Sequence, residues 1–322
     1  MARTAERVAG RDVLAIQDTS EIILGGAKIR ARGYGPVGKG GALGGVLLHP
    51  VLAVDAATGA LLGLADITVW NRDTGKASPH PERGLADKES GRWLAGAERA
   101  GAVLARASRI TAVSDRESDI YEDFARRPEG VHLLVRASFN RRLDGGKLLF
   151  DHADGLAEAG RFATKIAAAP GRPARTARLA LRFGPVEIRR PEHGMPAAER
   201  KALPKTVSLS IVDIREEGAP KGTAPIHWRL LTSHVVEDLA DAFDEDDRPV
   251  IAAICQKYHG PAPTKRQTNP HPEGTMAHAA WVIARLGAWT GYYGKPGPQV
   301  ISRGLQKYHA IKYGVTIGRK VV

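Results

Sequence analysis

The stretch RITAVSDRESDIYEDF, Arg109 to Phe124, runs from a short apolar segment into two acids and an arginine, Asp115-Arg116-Glu117, and then into residues that favour helix. RITAV has the length and β-branched content of a buried strand, and Ser118 is placed to cap a helix over IYEDFARR. A strand that ends on a carboxylate either builds a metal site or simply leaves its sheet, and these residues alone leave both open. Upstream, Lys88-Glu89-Ser90 leads into RWLAGAERAGAVLARA, rich in helix-forming Ala, Leu and Arg. Further upstream lie two apolar runs, Val46–Asp55 and Leu62–Trp70, joined by the hairpin signal AATGA. Ahead of those, Val13-Leu14-Ala15-Ile16 ends in Gln17-Asp18-Thr19-Ser20, a second strand tipped by a carboxylate. Downstream, Val131–Ala137 is another strand. The order strand, hairpin, helix, strand, helix, strand predicts an α/β fold, a mixed sheet with helices packed on it.

Beyond Asn140 the texture changes to short alternating runs, ARLALRF, PVEIRR and TVSLSIVDI, separated by Pro, Gly and Arg. The reading is a first core segment over 1–139, a basic β-rich insert over 140–225, and a return to the core over 226–242 through the strand IHWRLLT and a helix starting at Val236. An irregular linker over 243–274 and a helical C-terminal segment over 275–322 complete the chain.

The chain has 322 residues, with 47 Lys+Arg against 35 Asp+Glu, a formal net charge of +12. Such an excess fits a polyanionic partner, because each neutralised phosphate releases counterions; a soluble protein that is merely basic fits as well. The single cysteine, Cys255, rules out an internal disulfide. The charged start MARTAERVAGRD lacks a signal-peptide core, and His49, Asp55 and Asp66 interrupt the most apolar region, so a cytoplasmic protein without a membrane span is expected.

Gly33–Gly40 contains G-x-G-x-x-G and nearly spells a P-loop, but Pro36 does not open a helix and Gly40 stands where a Ser or Thr is needed; a flexible hairpin loop is the expectation. Cys255, His259, His271 and His278 match no zinc spacing, and Asp244–Asp247 reads as solvated loop charge. The pair Asp18 and Asp115 differs, because each closes an apolar strand. If both strands are central in one sheet, their carboxylates converge at one edge, where hard oxygen ligands suit magnesium or manganese.

IQDTSEI, HPVLAVDAATGALLGLADITVWNR, DKESGRWL, VSDRESDIYEDF, LLVRAS and HWRLLTS, followed by AAWVIARLGAWTGYYGKPGP and RGLQKYHAIKYG, occur in an order and spacing that resemble the DDE transposases of the insertion-sequence-four group, which includes the transposon-five transposase. The resemblance covers nearly the whole chain. It implies a ribonuclease-H-like fold with a β-rich insert and a C-terminal dimerisation region. It also implies a two-metal Mg2+ or Mn2+ site with Asp18 and Asp115 as carboxylate ligands. Double-stranded DNA, transposon ends and target, would be the substrate, with the protein a homodimer on it. Arg136 would lie near the DNA, and Trp228 would receive a flipped base.

The departures are as specific. The family's third carboxylate lies on a helix patterned Tyr, two residues, Arg, three residues, Glu, six residues, Lys, and no such pattern follows Trp228. At Phe243 the sequence jumps to DEDDRPVIAAICQKYHG, which resembles a segment well downstream in relatives, so an internal deletion is implied. Glu245 lacks the Tyr and Arg partners of the missing acid, and the third acidic residue stays unknown. Only 17 residues precede Asp18, where full-length relatives carry an end-recognition domain. The functions that follow are an impaired transposase or, alternatively, a non-catalytic remnant that binds DNA or dimerises with an intact transposase and inhibits it. An unrelated ribonuclease-H-type nuclease would explain the two aspartates but not the KESGRWL block.

Overall fold

The computed structural model describes residues 1–30, 32–72, 82–166 and 173–238. The predicted linker, the C-terminal helices, Glu245, and the cysteine and histidines from Cys255 to His278 lie outside the described residues.

After a short helix α1 (Ala2–Arg7), the chain enters β1 (Asp12–Gln17) and β2 (Ser20–Gly25), then a single helical turn α2 (Ala27–Arg30). β3 (Gly35–Val37), β4 (Leu43–Asp55) and β5 (Leu61–Trp70) precede the main helix α3 (Gly91–Val103). β6 (Arg109–Ser114), α4 (Tyr121–Ala125), β7 (Val131–Arg136) and α5 (Leu149–Asp154) follow. β8 (Gly160–Ile166), β9 (Arg175–Arg189), α6 (Ala197–Ala202), β10 (Thr206–Glu217) and β11 (His227–Thr232) complete the described elements. The expected α/β class holds: the described residues form one mixed sheet of 11 strands, ordered β2-β4-β1-β6-β7-β11-β10-β9-β8, with β3 and β5 also paired to β4.

β1 runs parallel to β6, and β6 parallel to β7, while β4 is antiparallel to β1 and β5. The two parallel steps require crossovers, supplied by α3 between β5 and β6 and by α4 between β6 and β7. The chain divides into two compact units. Described residues within 1–57, 61–163 and 178–245 form the first, which holds most of the sheet. Described residues within 58–60 and 164–177 belong to the second and comprise a turn and the adjoining ends of β8 and β9.

Strand periodicity divides the core. Val13, Ala15, Val51, Ala53, Ile110, Ala112, Val131, Leu133 and Val135 alternate onto one face and are buried with Ala97, Ala100 and Leu104 of the α3 segment. The α3 residues recur at helical spacing, and the two alanines let the helix axis approach the sheet. The other face carries Leu14, Thr111 and Val113, also buried.

Several local expectations are corrected. Gly33–Gly40 is not simply a hairpin loop, because Gly35–Val37 pairs with Leu43–Gly45 as β3. β4 begins at Leu43 rather than Val46, running through two glycines; a Cβ at Gly45 would overlap the carbonyl of Ile22 on β2. ARLALRF and PVEIRR form one 15-residue strand, β9, because Gly184-Pro185 continues its antiparallel register with β10 instead of turning. Ser118 does not cap α4. It sits in the 3-10 turn Arg116–Ser118 and donates to the Asp115 carbonyl, 3.0 Å away, while Asp115 caps that turn. No helix begins by Asp238, since the chain after β11 is pinned by Ser210 Oγ donating to the His234 carbonyl at 2.9 Å. No helix among the described residues is long and apolar enough to cross a membrane.

Candidate functional site

Parallel register decides which side chains meet at the ends of the central strands. Ile16 of β1 lies opposite Val113 of β6, and Val113 lies opposite Leu134 of β7. Two residues onward, that row reads Asp18, Asp115 and Arg136. Neighbouring strands lie about 4.8 Å apart, so the three occupy one cross-strand row at the carboxyl ends of β1, β6 and β7. Asp115 is still extended (φ −86°, ψ −168°) before the chain turns. Its carboxylate accepts from the Glu117 backbone N–H at 2.8 Å, so the acid and the turn after it fix each other. All three residues are half-buried.

β11 continues the row on the far side of β7. Leu230 lies opposite Arg136, and the Ala137 N–H donates to the Arg229 carbonyl at 2.8 Å. Trp228 is two residues from Leu230 and therefore on the same face as Arg136, opposite Ile214 of β10. It is only 7% exposed, so its ring is packed rather than presented. Extended past the paired ends of β1 and β6, the register thus aligns Asp18 and Asp115 with Arg136, and Trp228 lies on the next strand. Among the described residues, no group of three or more His, Cys, Asp or Glu side chains is arranged to hold a metal ion.

Residues that the sequence reading did not single out hold this edge. His49 lies in β4 and is fully buried. Its Nδ1 is 3.0 Å from Thr19 Oγ1 and its Nε2 is 3.1 Å from Gln17 Oε1, so the ring grips the residues on either side of Asp18. Because Gln17 Oε1 can only accept, His49 Nε2 donates and Nδ1 accepts from Thr19. Burial, and then the positive charge of Arg92, lower its pKa to about 4, so the ring is neutral near pH 7. α3 passes directly over this pair: a Cβ at Gly96 would overlap Gln17 Oε1 and come within 3.4 Å of His49 Nε2. A histidine inside the otherwise apolar run VLLHPVLAV is the signal that could have marked it.

Asp119, in the opening motif itself, is fully buried. It accepts from the N–H groups of Ser138 (2.6 Å) and Phe139 (2.9 Å) and from Arg141 Nε (2.8 Å), anchoring the loop that follows Arg136. Arg141 lies over the rings of Phe124 and Phe139, at 5.9 and 5.3 Å. The KESGRWL block has its own contacts. Lys88 Nζ donates to the Gly194 carbonyl at 2.9 Å, Glu89 pairs with Arg72 at 2.7 Å, and Trp93 is buried edge-on against His49, ring centroids 4.7 Å apart. These side chains tie the edge holding Asp18 to α3 and to the segment between β9 and β10. No family model matches this chain.

Proposed function

We propose that this chain carries a ribonuclease-H-like core of the DDE-transposase type, which binds DNA and directs Mg2+- or Mn2+-dependent chemistry at its phosphodiesters through Asp18 and Asp115. The observation that carries this reading is the single cross-strand row of Asp18, Asp115 and Arg136 at the carboxyl ends of parallel strands. The order β5-β4-β1-β6-β7, antiparallel on one side of β1 and parallel on the other, supports the ribonuclease-H-like assignment. The net charge of +12 supports a polyanionic substrate.

The donor set suits the metal. Magnesium is commonly held by one or two carboxylates together with waters and a substrate phosphate, and two aspartates on adjacent strands supply that. The bound metal would polarise a phosphate oxygen and lower the pKa of an attacking water or 3′-hydroxyl. Arg136, beside Asp115 in the row, offers a planar fork of donors to a nonbridging phosphate oxygen. Trp228 can stack on a base only once its packed ring is uncovered. With two carboxylates in the row, ion binding is weaker than with three and the nucleophile is less firmly placed, so cleavage is slow. On DNA the active species is a homodimer.

The test is incubation of the purified chain with Mg2+ or Mn2+ and end-labelled duplex carrying the terminal repeats that flank its own reading frame. Metal-dependent cleavage that disappears in Asp115→Ala supports the reading. Retention of the duplex without cleavage in either metal assigns the chain to the alternative, a DNA-binding remnant. Neither retention nor cleavage overturns both.

A further inference from the structure

Arg92 stands in the first turn of α3, and its side chain is only 11% exposed. Its guanidinium makes three directed contacts. Nε donates to Thr19 Oγ1 at 2.7 Å, one terminal nitrogen donates to the Glu89 carbonyl at 2.8 Å, and the other pairs with the Glu117 carboxylate. The group also lies over the rings of Trp93 and Trp70, 4.9 and 5.8 Å from their centroids, which restricts the plane of its fork. Thr19 directly follows Asp18, and Glu117 is the residue whose N–H is capped by Asp115. A continuous chain of contacts therefore runs Asp18, Thr19, Arg92, Glu117, Asp115. His49 bonds the same Thr19 hydroxyl, and Gln17 as well, so both neighbours of Asp18 are held.

We propose that Arg92, backed by His49, is the positioning residue that sets the spacing and orientation of Asp18 and Asp115. The inference rests on the reading of those two aspartates as metal ligands. Physically, two carboxylates at the ends of adjacent strands repel each other and belong to loops that begin beside them, so the sheet alone does not fix their separation. A rigid five-donor fork that reaches both loops does so in a way that an ammonium cannot. Outer partners of this kind typically change metal affinity by about 10- to 100-fold when removed.

Charge and position make opposite predictions, which gives the experiment its sign. A cation near two carboxylates disfavours a divalent metal, so if Arg92 acted through charge alone, Arg92→Gln would tighten Mn2+ binding. Thr19→Val leaves every charge in place and removes only the hydroxyl that joins Arg92 to His49. Mn2+ titration of the full chain, followed by the electron paramagnetic resonance of free Mn2+, is read alongside thermal melting and below the melting temperature of each variant. Thr19→Val weakens Mn2+ by about tenfold, Thr19→Ser restores it, and Arg92→Gln weakens it despite removing a positive charge. Arg92→Lys keeps the charge and serves where Arg92→Gln does not fold. It also weakens Mn2+, because one ammonium does not span Thr19 and Glu117. Wild-type affinity in Thr19→Val, or tighter binding in Arg92→Gln, overturns the inference while leaving the metal site intact, provided Asp18→Asn weakens the wild-type binding. If the wild-type chain takes no Mn2+, or Asp18→Asn binds it equally, the metal-site reading falls and this inference falls with it.

Discussion

The neutral, fully buried His49 makes stability depend on pH in a window that can be computed. Its ring has an ordinary pKa of 6.5 in the unfolded chain and about 4 in the fold, where burial and Arg92 disfavour the imidazolium. Between those values the unfolded state binds more protons than the native one, so stability rises with pH across the window and falls as pH drops through it. The contribution is fully present above about pH 6.5 and is lost progressively on the way to pH 4. Integrating the linkage relation over this shift gives a loss of about 2 kcal/mol between pH 7 and pH 5, and about 3 kcal/mol by pH 4. Structurally, protonating Nδ1 removes the acceptor for Thr19 and sets a second positive charge against Arg92, whose Nε lies 2.7 Å from the same hydroxyl. The informative comparison is wild type against His49→Gln, which keeps an amide for hydrogen bonding but does not titrate. Urea unfolding of both proteins at several pH values between 4 and 7.5 cancels the contributions of every other group, including His234, whose pKa is also lowered to about 4. The wild type is the more stable near neutrality and loses that advantage by roughly 2 kcal/mol at pH 5. A difference that stays flat within about 0.5 kcal/mol from pH 7 to pH 5 refutes the account, because linkage leaves no other slope for a neutral buried ring.

Three further outcomes follow from particular contacts. Asp119→Ala strands the Arg141 guanidinium, 10% exposed, and the Ser138 and Phe139 N–H groups, at a cost of about 3 kcal/mol in urea unfolding. Adding Arg141→Met recovers part of that loss, since a thioether can pack on Phe124 and Phe139; a double variant less stable than Asp119→Ala counts against the account. Asp123 is buried on α4 with Oδ1 unpaired, and burial pushes its carboxyl well above the usual range, so it destabilises the fold increasingly as pH rises above its unfolded value near 3.8. Asp123→Asn therefore stabilises at pH 7, with the gain shrinking toward pH 4; thermal melts showing a pH-independent effect or a loss oppose this. Gly96→Ala displaces the Gln17 amide from His49 while adding helix propensity to α3. The fold survives, and on the proposed reading of Asp18 as a metal ligand Mn2+ binding weakens; an unchanged Mn2+ affinity argues that Gln17 is dispensable there.

How much was legible varies by residue. Val13–Ile16, the hairpin runs and RITAV were readable because a buried strand must be continuously apolar and its ends must break that run. Asp18 and Asp115 stood out for the same reason, as the first charges after such runs. His49 and Asp119 were not singled out. A polar residue within an apolar run, or beside other acids, does not reveal its partner, and those partners are 32 and 22 residues away for Gln17 and Arg141. Arg92 looked like one basic residue in a helix-forming block. Its role depends on Thr19 and Glu117, which reach it from opposite directions along the chain.

The amino-acid sequence by itself determined the alternation of strands and helices, the mixed α/β class, and the aspartates that directly follow the apolar runs of β1 and β6, because each of these is a local pattern of apolar periodicity and chain-breaking residues. Only the tertiary structure decided the β1, β6 and β7 registers that, extended by two residues, align Asp18, Asp115 and Arg136, and that β9, β10 and β11 extend the same sheet through β7. Register is the physical reason. Sliding a parallel strand changes which side chains are neighbours without altering its hydrophobic pattern, provided the shift is two residues, so the pairing is fixed by the packing of α3 and the contacts around His49 and Arg92 rather than by any one segment.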